Sequence, residues 1–242
     1  MRSRLLAVAP ALLLLATLSA CGEDSGDDSG KGSGKDSGAA GATDTVECDW
    51  QEEGEPAREV DLPPTTPTYD GEVPAVLTTS VGTLNVTLDA AKAPCTVQSF
   101  ASLAEQGYYD GTSCHRQGNE TGFEFLQCGD PFFDPTAAEA DPSTGTGGPG
   151  YTIPDEVDGS ETYPAGTLAM ANTGVPHSGG GQFFIVFGDS QFPPDYTVWG
   201  HLDAASLETL RKATASGNDG YWAQSGGGRP NTPVTFESIQ VG

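Results

Sequence analysis

Between Leu168 and Phe187 the chain reads LAMANTGVPHSGGGQFFIVF, a strand, a glycine-rich turn and a second strand that hold Asn172 and Gln182 between aromatic residues. An amide side chain both donates and accepts hydrogen bonds, and aromatic rings offer flat apolar surface. Together they suit the binding of an extended peptide, and packing alone explains the pattern poorly. Hydrolysis is not written into the sequence: Ser113 and Ser178 lie in no GxSxG setting and no serine is paired with a base. The run GTGGPG at Gly145 to Gly150 is no phosphate loop, because Tyr151-Thr152-Ile153-Pro154 cannot open a helix with an anion at its N-terminus. Glycines there let backbone come close to a ligand or to another loop.

Cys48, Cys95, Cys114 and Cys128 include no CxxC, and His115, His177 and His201 are scattered among unlike contexts, so neither a metal site nor a cofactor is expected. An even count in an exported chain favours two disulfides. Three pairings are open. If the segments around Cys114 and Cys128 run as antiparallel neighbours, those two can bridge them, leaving Cys48 to fasten to Cys95.

Eight stretches alternate or run apolar like strands, at 75–79, 83–88, 113–117, 123–127, 166–171, 182–187, 197–202 and 234–241. Gly and Pro separate them at short intervals, which points to a closed antiparallel barrel or a sandwich. Two segments read as helices. Thr96 to Gln106 gathers Val97, Phe100, Ala101, Leu103 and Ala104 on one face and stops at Gly107. Ala204 to Ala215 follows Asp203 as N-cap and buries Leu207 and Leu210.

The N-terminal part organises differently. Residues 1–20 carry Arg2, Arg4 and an apolar run too short to span a bilayer, which reads as an export signal. It ends in Leu18-Ser19-Ala20-Cys21, which resembles a lipoprotein cleavage box. Lipid on Cys21, of the diacylglycerol and palmitate type, would tether the chain to the outer face of a cell membrane. Residues 21–69 follow as a linker. Gly22 to Ala42 is nearly all Gly, Ser, Asp, Lys and Ala, with an r.m.s. span of about 25 Å. Thr43 to Tyr69 reads as an acidic, proline-bearing arm whose middle, around Cys48 and Trp50, docks on the domain. Residues 70–242 are one domain. A formal charge of −24 argues against nucleic acid and against docking on anionic lipid, and an acidic domain on a tether is expected to be monomeric.

Six motifs in order, GYYDGTSCHR (107–116), FEFLQCGDP (123–131), GTGGPGY (145–151), GTLAMANTG (166–174), GGGQFFIVF (179–187) and DYTVWGHL (195–202), resemble the cyclophilin-type peptidyl-prolyl isomerases from about Ala75 to Gly242. The resemblance implies a mostly β fold, an eight-stranded antiparallel barrel capped by two α-helices, with the peptide groove on its outside. It implies that Arg116 is catalytic. It also implies that Phe125, Gln127, Gly145, Ala171, Asn172, Gln182, Phe184, Phe192 and Tyr196 line the groove, Phe184 and its apolar neighbours holding a proline ring and Asn172 bonding substrate backbone. The implied partners are proline-containing unfolded or extended polypeptides. A rival reading is a module that binds or holds proline peptides with little or no catalysis.

The chain departs from the family's pattern in five places. Glu124 and Phe125 stand where a Phe-Met pair is common, with Phe123 available as a replacement wall. Gln191 and Phe192 replace a Trp-Leu pair, and Tyr196 replaces a His. The acidic stretch Phe132 to Ser143 is longer than the usual link, and is read as a loop beside the groove that selects or restricts substrates. The turn between Asn172 and Gln182 is one residue longer than is common.

Overall fold

A computed structural model describes residues 46–139 and 141–242; the export segment, Cys21 and the Gly/Ser/Asp linker lie outside the described residues. Ten strands and two helices follow in the order β1 (Gln51–Glu52), β2 (Glu72–Thr79), β3 (Gly82–Asp89), α1 (Pro94–Glu105), β4 (Arg116–Glu120), β5 (Phe123–Cys128), β6 (Tyr151–Thr152), β7 (Thr167–Met170), β8 (Phe183–Val186), β9 (Val198–Leu202), α2 (Ala204–Thr214) and β10 (Phe236–Val241). Eight of the strands form one antiparallel sheet in the order β10-β2-β3-β9-β7-β8-β5-β4.

Period-two alternation sets the sheet's inner face. Along β2 the inward residues are Val73, Ala75 and Leu77, and along β3 Leu84, Val86 and Leu88, all buried. They join Phe100, Leu126, Phe183, Ile185 and Trp199 in one core. In β7 and β8 every residue is buried, because their outer face is covered too. That second covered face is where the site lies.

The sheet curls, yet β4 and β10 do not meet as strands. The gap is spanned by a single bridge, Ser113 to Thr235, with the Cys114 amide donating to Val234 O at 2.9 Å and the Phe236 amide to Thr112 O at 2.9 Å. The expected strand at 113–117 is therefore displaced. Its first residues cross toward β10, and the ladder with β5 begins only at Arg116.

Helix α1 starts at Pro94, two residues before its sequence-based start, since Pro fits the first helical position. The Glu156 carboxylate, remote in sequence, takes the exposed amides of Cys95 and Thr96 at 2.8 Å each. It ends as read, with Gly107 at φ 69° and the Tyr108 amide returning to Leu103 O. Asp203 caps α2 by accepting from the Ser206 amide at 2.7 Å. Helix α1 packs on β10 and β3, and α2 on β3.

Segment 46–69 lies along the sheet domain. Trp50 and Val60 pack against the core, and β1 pairs with β6. Among the described residues there are two disulfides, Cys48–Cys95 and Cys114–Cys128. The first joins the arm to α1; the second sits at the end of the β4–β5 ladder. Among the described residues no helix is long and apolar enough to cross a membrane.

Candidate active site

Strand register builds the site. Arg116 on β4 is opposite Gln127 on β5, Gln127 opposite Phe184 on β8, and Phe184 opposite Ala169 on β7. Cross-strand partners share a face. Here it is the outer face, because the residues beside them, Leu126, Phe183, Ile185, Leu168 and Met170, all belong to the inner core.

Phe125 and Val186, another opposed pair, join Phe184, Ala169 and Tyr163 in a separate buried cluster rimmed by Phe123, Phe192 and Tyr196. Phe192 is its hub. Its ring centroid lies 5.3 Å from Phe184, 5.6 Å from Phe125 and 5.6 Å from Tyr163, each edge-on. Edge-to-face rings at these separations attract beyond simple burial, so the surface is apolar and fixed.

Arg116 stands at the edge of these rings. Its guanidinium carbon is 5.2 Å from the centroid of Phe125 and 5.8 Å from that of Phe123, within range of a cation–π attraction. Nε donates to Gly226 O at 3.0 Å and Nη2 to Ser225 O. Among the described residues Nη1 makes no hydrogen bond. Partial burial lowers the guanidinium's pKa, opposed by the Tyr196 phenol, and the group stays cationic at neutral pH.

Beyond Gln127 the surface opens into a cavity of about 530 Å³ lined in part by Gln127, Gly145, Ala171, Asn172 and Gln182. Gln127 Nε2 donates to Gln182 Oε1 at 3.0 Å, and Gln182 Nε2 donates to Gly145 O at 3.0 Å and Gly147 O at 2.9 Å. The residues named from sequence thus form two connected groups, an aromatic end with Arg116 and a polar end around the cavity, joined at Gln127.

Residues 75–241 match the family of cyclophilin type peptidyl-prolyl cis-trans isomerase/CLD. This chain belongs to that family. The probable peptidyl-prolyl cis-trans isomerase B of Mycobacterium leprae is 39% identical to the chain over 213 residues, 81% of the chain and 67% of that protein. Its Mycobacterium tuberculosis counterpart is 40% identical over 194 residues, 74% of the chain. The chain spans 58% of that relative's length. Among solved structures, a cyclophilin type peptidyl-prolyl cis-trans isomerase from Cryptosporidium parvum superposes with a TM-score of 0.56 at 27% identity, covering 71% of this chain and 98% of its own. A second crystal structure of that protein, in the presence of the dipeptide Ala-Pro, gives a TM-score of 0.55 at 27% identity, covering 70% and 98%.

Within this cyclophilin domain the geometry bears on three expectations. The Asn172 side chain ties its own loop to the one that carries Tyr196, Nδ2 donating to Asp195 O at 2.9 Å and Oδ1 accepting from the Gly174 amide at 3.0 Å. One Nδ2 hydrogen, one Oδ1 lone pair and the main chain are left for a substrate. Glu124 turns away from the rings and lines a different recess with Gly188 and Arg211, while Phe123, 4.8 Å from Phe125, fills the aromatic rim. The acidic stretch 132–143 packs on the side of His115 through Phe133, and none of its described residues lines the groove cavity.

Other contributors had no structural role assigned from sequence. The Tyr163 hydroxyl accepts from the Tyr196 amide at 3.1 Å and faces Pro193 O and Tyr196 O at 3.1 Å each, and so holds the loop that carries Phe192 and Tyr196. Burial pushes this phenol up to about 12. His115 is buried between Phe133 and Trp222, and that burial, with Arg116 adjacent, drives it down to about 3, so it stays neutral behind the cation. Asp130 takes the amides of Phe132 and Gly145 and so clamps the base of the insertion; burial raises its pKa against those hydrogen bonds. Gly129, at φ 88°, allows the turn before Gln182 to lie against it, where a side chain would strike Gly181 O. The longer turn is accommodated at His177, which takes φ 60° and whose Nδ1 accepts from the Asp155 amide at 2.9 Å. For Tyr163 and His115 no local signal exists; for the Ser225–Gly226 carbonyls the glycine run 226–228 is the one visible cue.

Proposed function

We propose that this chain accelerates cis-trans isomerisation of X–Pro bonds in exported polypeptides, using Arg116 as the group that stabilises the twisted amide. The amide C–N bond resists rotation by about 18 to 20 kcal/mol because the nitrogen lone pair is delocalised into the carbonyl. At the twisted transition state that delocalisation is lost and the prolyl nitrogen becomes a hydrogen-bond acceptor. A donor fixed beside it strengthens only there, which lowers the barrier without lowering the ground state. The carrying observation is Arg116 itself. Its Nε and Nη2 are held by Gly226 and Ser225, and Nη1 is left over beside a rigid aromatic wall.

In this reading Phe184, Phe125 and Phe192 grip the proline ring, Asn172, the Gln127 amide and Oε1 of Gln182 meet the flanking peptide, and the carbonyl side turns against the held ring. No covalent bond forms or breaks. Two disulfides support a compartment outside the reducing cytoplasm. The leader and Cys21 support an enzyme anchored in the membrane by lipid alone, acting on newly exported chains whose X–Pro bonds otherwise relax in tens to hundreds of seconds. Its acidic charge supports a monomer. The holding-module reading loses two of its motives, because Glu124 and the insertion both lie off the groove.

NMR exchange spectroscopy on short Xaa-Pro peptides tests the proposal with the full chain and its Arg116→Ala variant. Exchange accelerated by the parent and lost in a folded variant supports it. Peptide binding without acceleration by the parent overturns it.

A further inference from the structure

The family match begins at residue 75, yet the groove is not built from the matched residues alone. Glu53, Gly54 and Glu55 of the arm line the same 530 Å³ cavity as Gln182 and Asn172. Main-chain bonds place them there. Glu52 pairs with Tyr151, the Glu53 amide donates to Gly150 O at 2.9 Å and the Ala57 amide to Gly148 O at 2.8 Å. Residues between those two bonds are thereby set against Gly148–Gly150, close to the carbonyls that Gln182 binds. On either side the arm is pinned again, by Cys48–Cys95 and by Arg58 Nη1, which donates to Tyr108 O at 2.8 Å and Asp110 O at 2.7 Å.

From this placement we infer that the arm is one wall of the substrate groove, and that Glu53 and Glu55 select substrates carrying a Lys or Arg within a few residues of the proline. The inference rests on the isomerase reading and deepens it. Both carboxylates are exposed, and neither has a hydrogen-bond or salt-bridge partner among the described residues. Among the described residues no Lys or Arg lines this cavity. A peptide that enters it meets two negative charges with no fixed counter-charge, so a basic side chain is attracted and an acidic one repelled. The attraction is between solvated groups, so it is modest and weakens with salt.

The test uses the full chain and Xaa-Pro peptides bearing Lys or Glu two or three residues before or after the proline, with exchange rates read by NMR. On one side of the proline the Lys peptide is expected to turn over about threefold to tenfold faster than its Glu counterpart at low salt. That ratio collapses toward one in the Glu53→Gln/Glu55→Gln variant and persists in Glu59→Gln, which removes an arm carboxylate outside the cavity. Three results would overturn the inference: a ratio near one in the parent, a ratio that survives the double substitution, or one that Glu59→Gln abolishes equally, which would reflect only the net charge. If no peptide is accelerated, the isomerase reading fails separately, and chemical-shift titration of the same peptides still reads the Lys-to-Glu ratio as binding.

Discussion

The guanidinium carbon of Arg116 lies 5.2 Å from the centroid of the Phe125 ring, across the β4–β5 ladder. The charge and the apolar wall are therefore set by one strand register. A one-residue slip between these strands would send Phe125 to the inner face and part the two.

Arg116→Ala is expected to lower kcat/KM by about a hundredfold to a thousandfold, the usual cost of removing a fixed donor to a transition state. Arg116→Lys is expected to lose at least about tenfold, because an ammonium cannot bond Gly226 and Ser225 through one edge while offering the other to substrate. NMR exchange rates measured alongside circular dichroism check both. A lysine variant with parental activity would show that charge alone suffices.

Tyr163→Phe removes the hydroxyl that ties Tyr196 and Pro193 together. It is expected to cost about 1 to 2 kcal/mol of stability and to raise KM more than it lowers kcat, since the loop it releases carries Phe192 and Tyr196. Urea unfolding and peptide titrations test this. An unchanged KM would mean that the aromatic rim holds itself.

His115 makes folding sensitive to acid. The unfolded chain protonates this imidazole near 6.5 and the folded chain only near about 3, because the site is buried and beside Arg116. Between those values the unfolded state holds the extra proton, so stability is full above pH 6.5 and falls as the pH drops, by up to about 1.4 kcal/mol per unit. Urea unfolding at about pH 7 and about pH 4.5 should show a loss smaller by about 2 to 3 kcal/mol in His115→Gln than in the parent. Equal losses would mean that the imidazole gains access to water before it titrates.

The Cys48–Cys95 bridge closes a separation of 47 residues and Cys114–Cys128 one of 14. Constraint of the unfolded chain predicts about 4 kcal/mol for the first and about 3 kcal/mol for the second. Urea midpoints of the two paired Cys→Ala variants measure the difference. Loss of the first bridge should also expose the 46–69 arm to proteolysis while the sheet persists.

What the sequence determined by itself was local or periodic. Alternation located the strands, Gly107 and Asp203 set helix ends, and Asn172, Gln182 and Phe184 stood out because polar amides and rings crowd one turn. The family resemblance then placed the fold and named the site residues, Arg116 among them. Tertiary structure decided whatever depends on distant segments meeting. Glu156 caps a helix about sixty residues earlier, Ser225 and Gly226 take up the Arg116 edge, and Tyr163 ties a loop thirty residues on. The arm is the plainest case. Gln51–Glu52 is too short and too polar to announce a strand, and only the free carbonyls at Gly148 and Gly150 make it one wall of the groove. Periodicity records which way a side chain points; it holds no record of which remote backbone atoms remain unpaired until the sheet has closed around them.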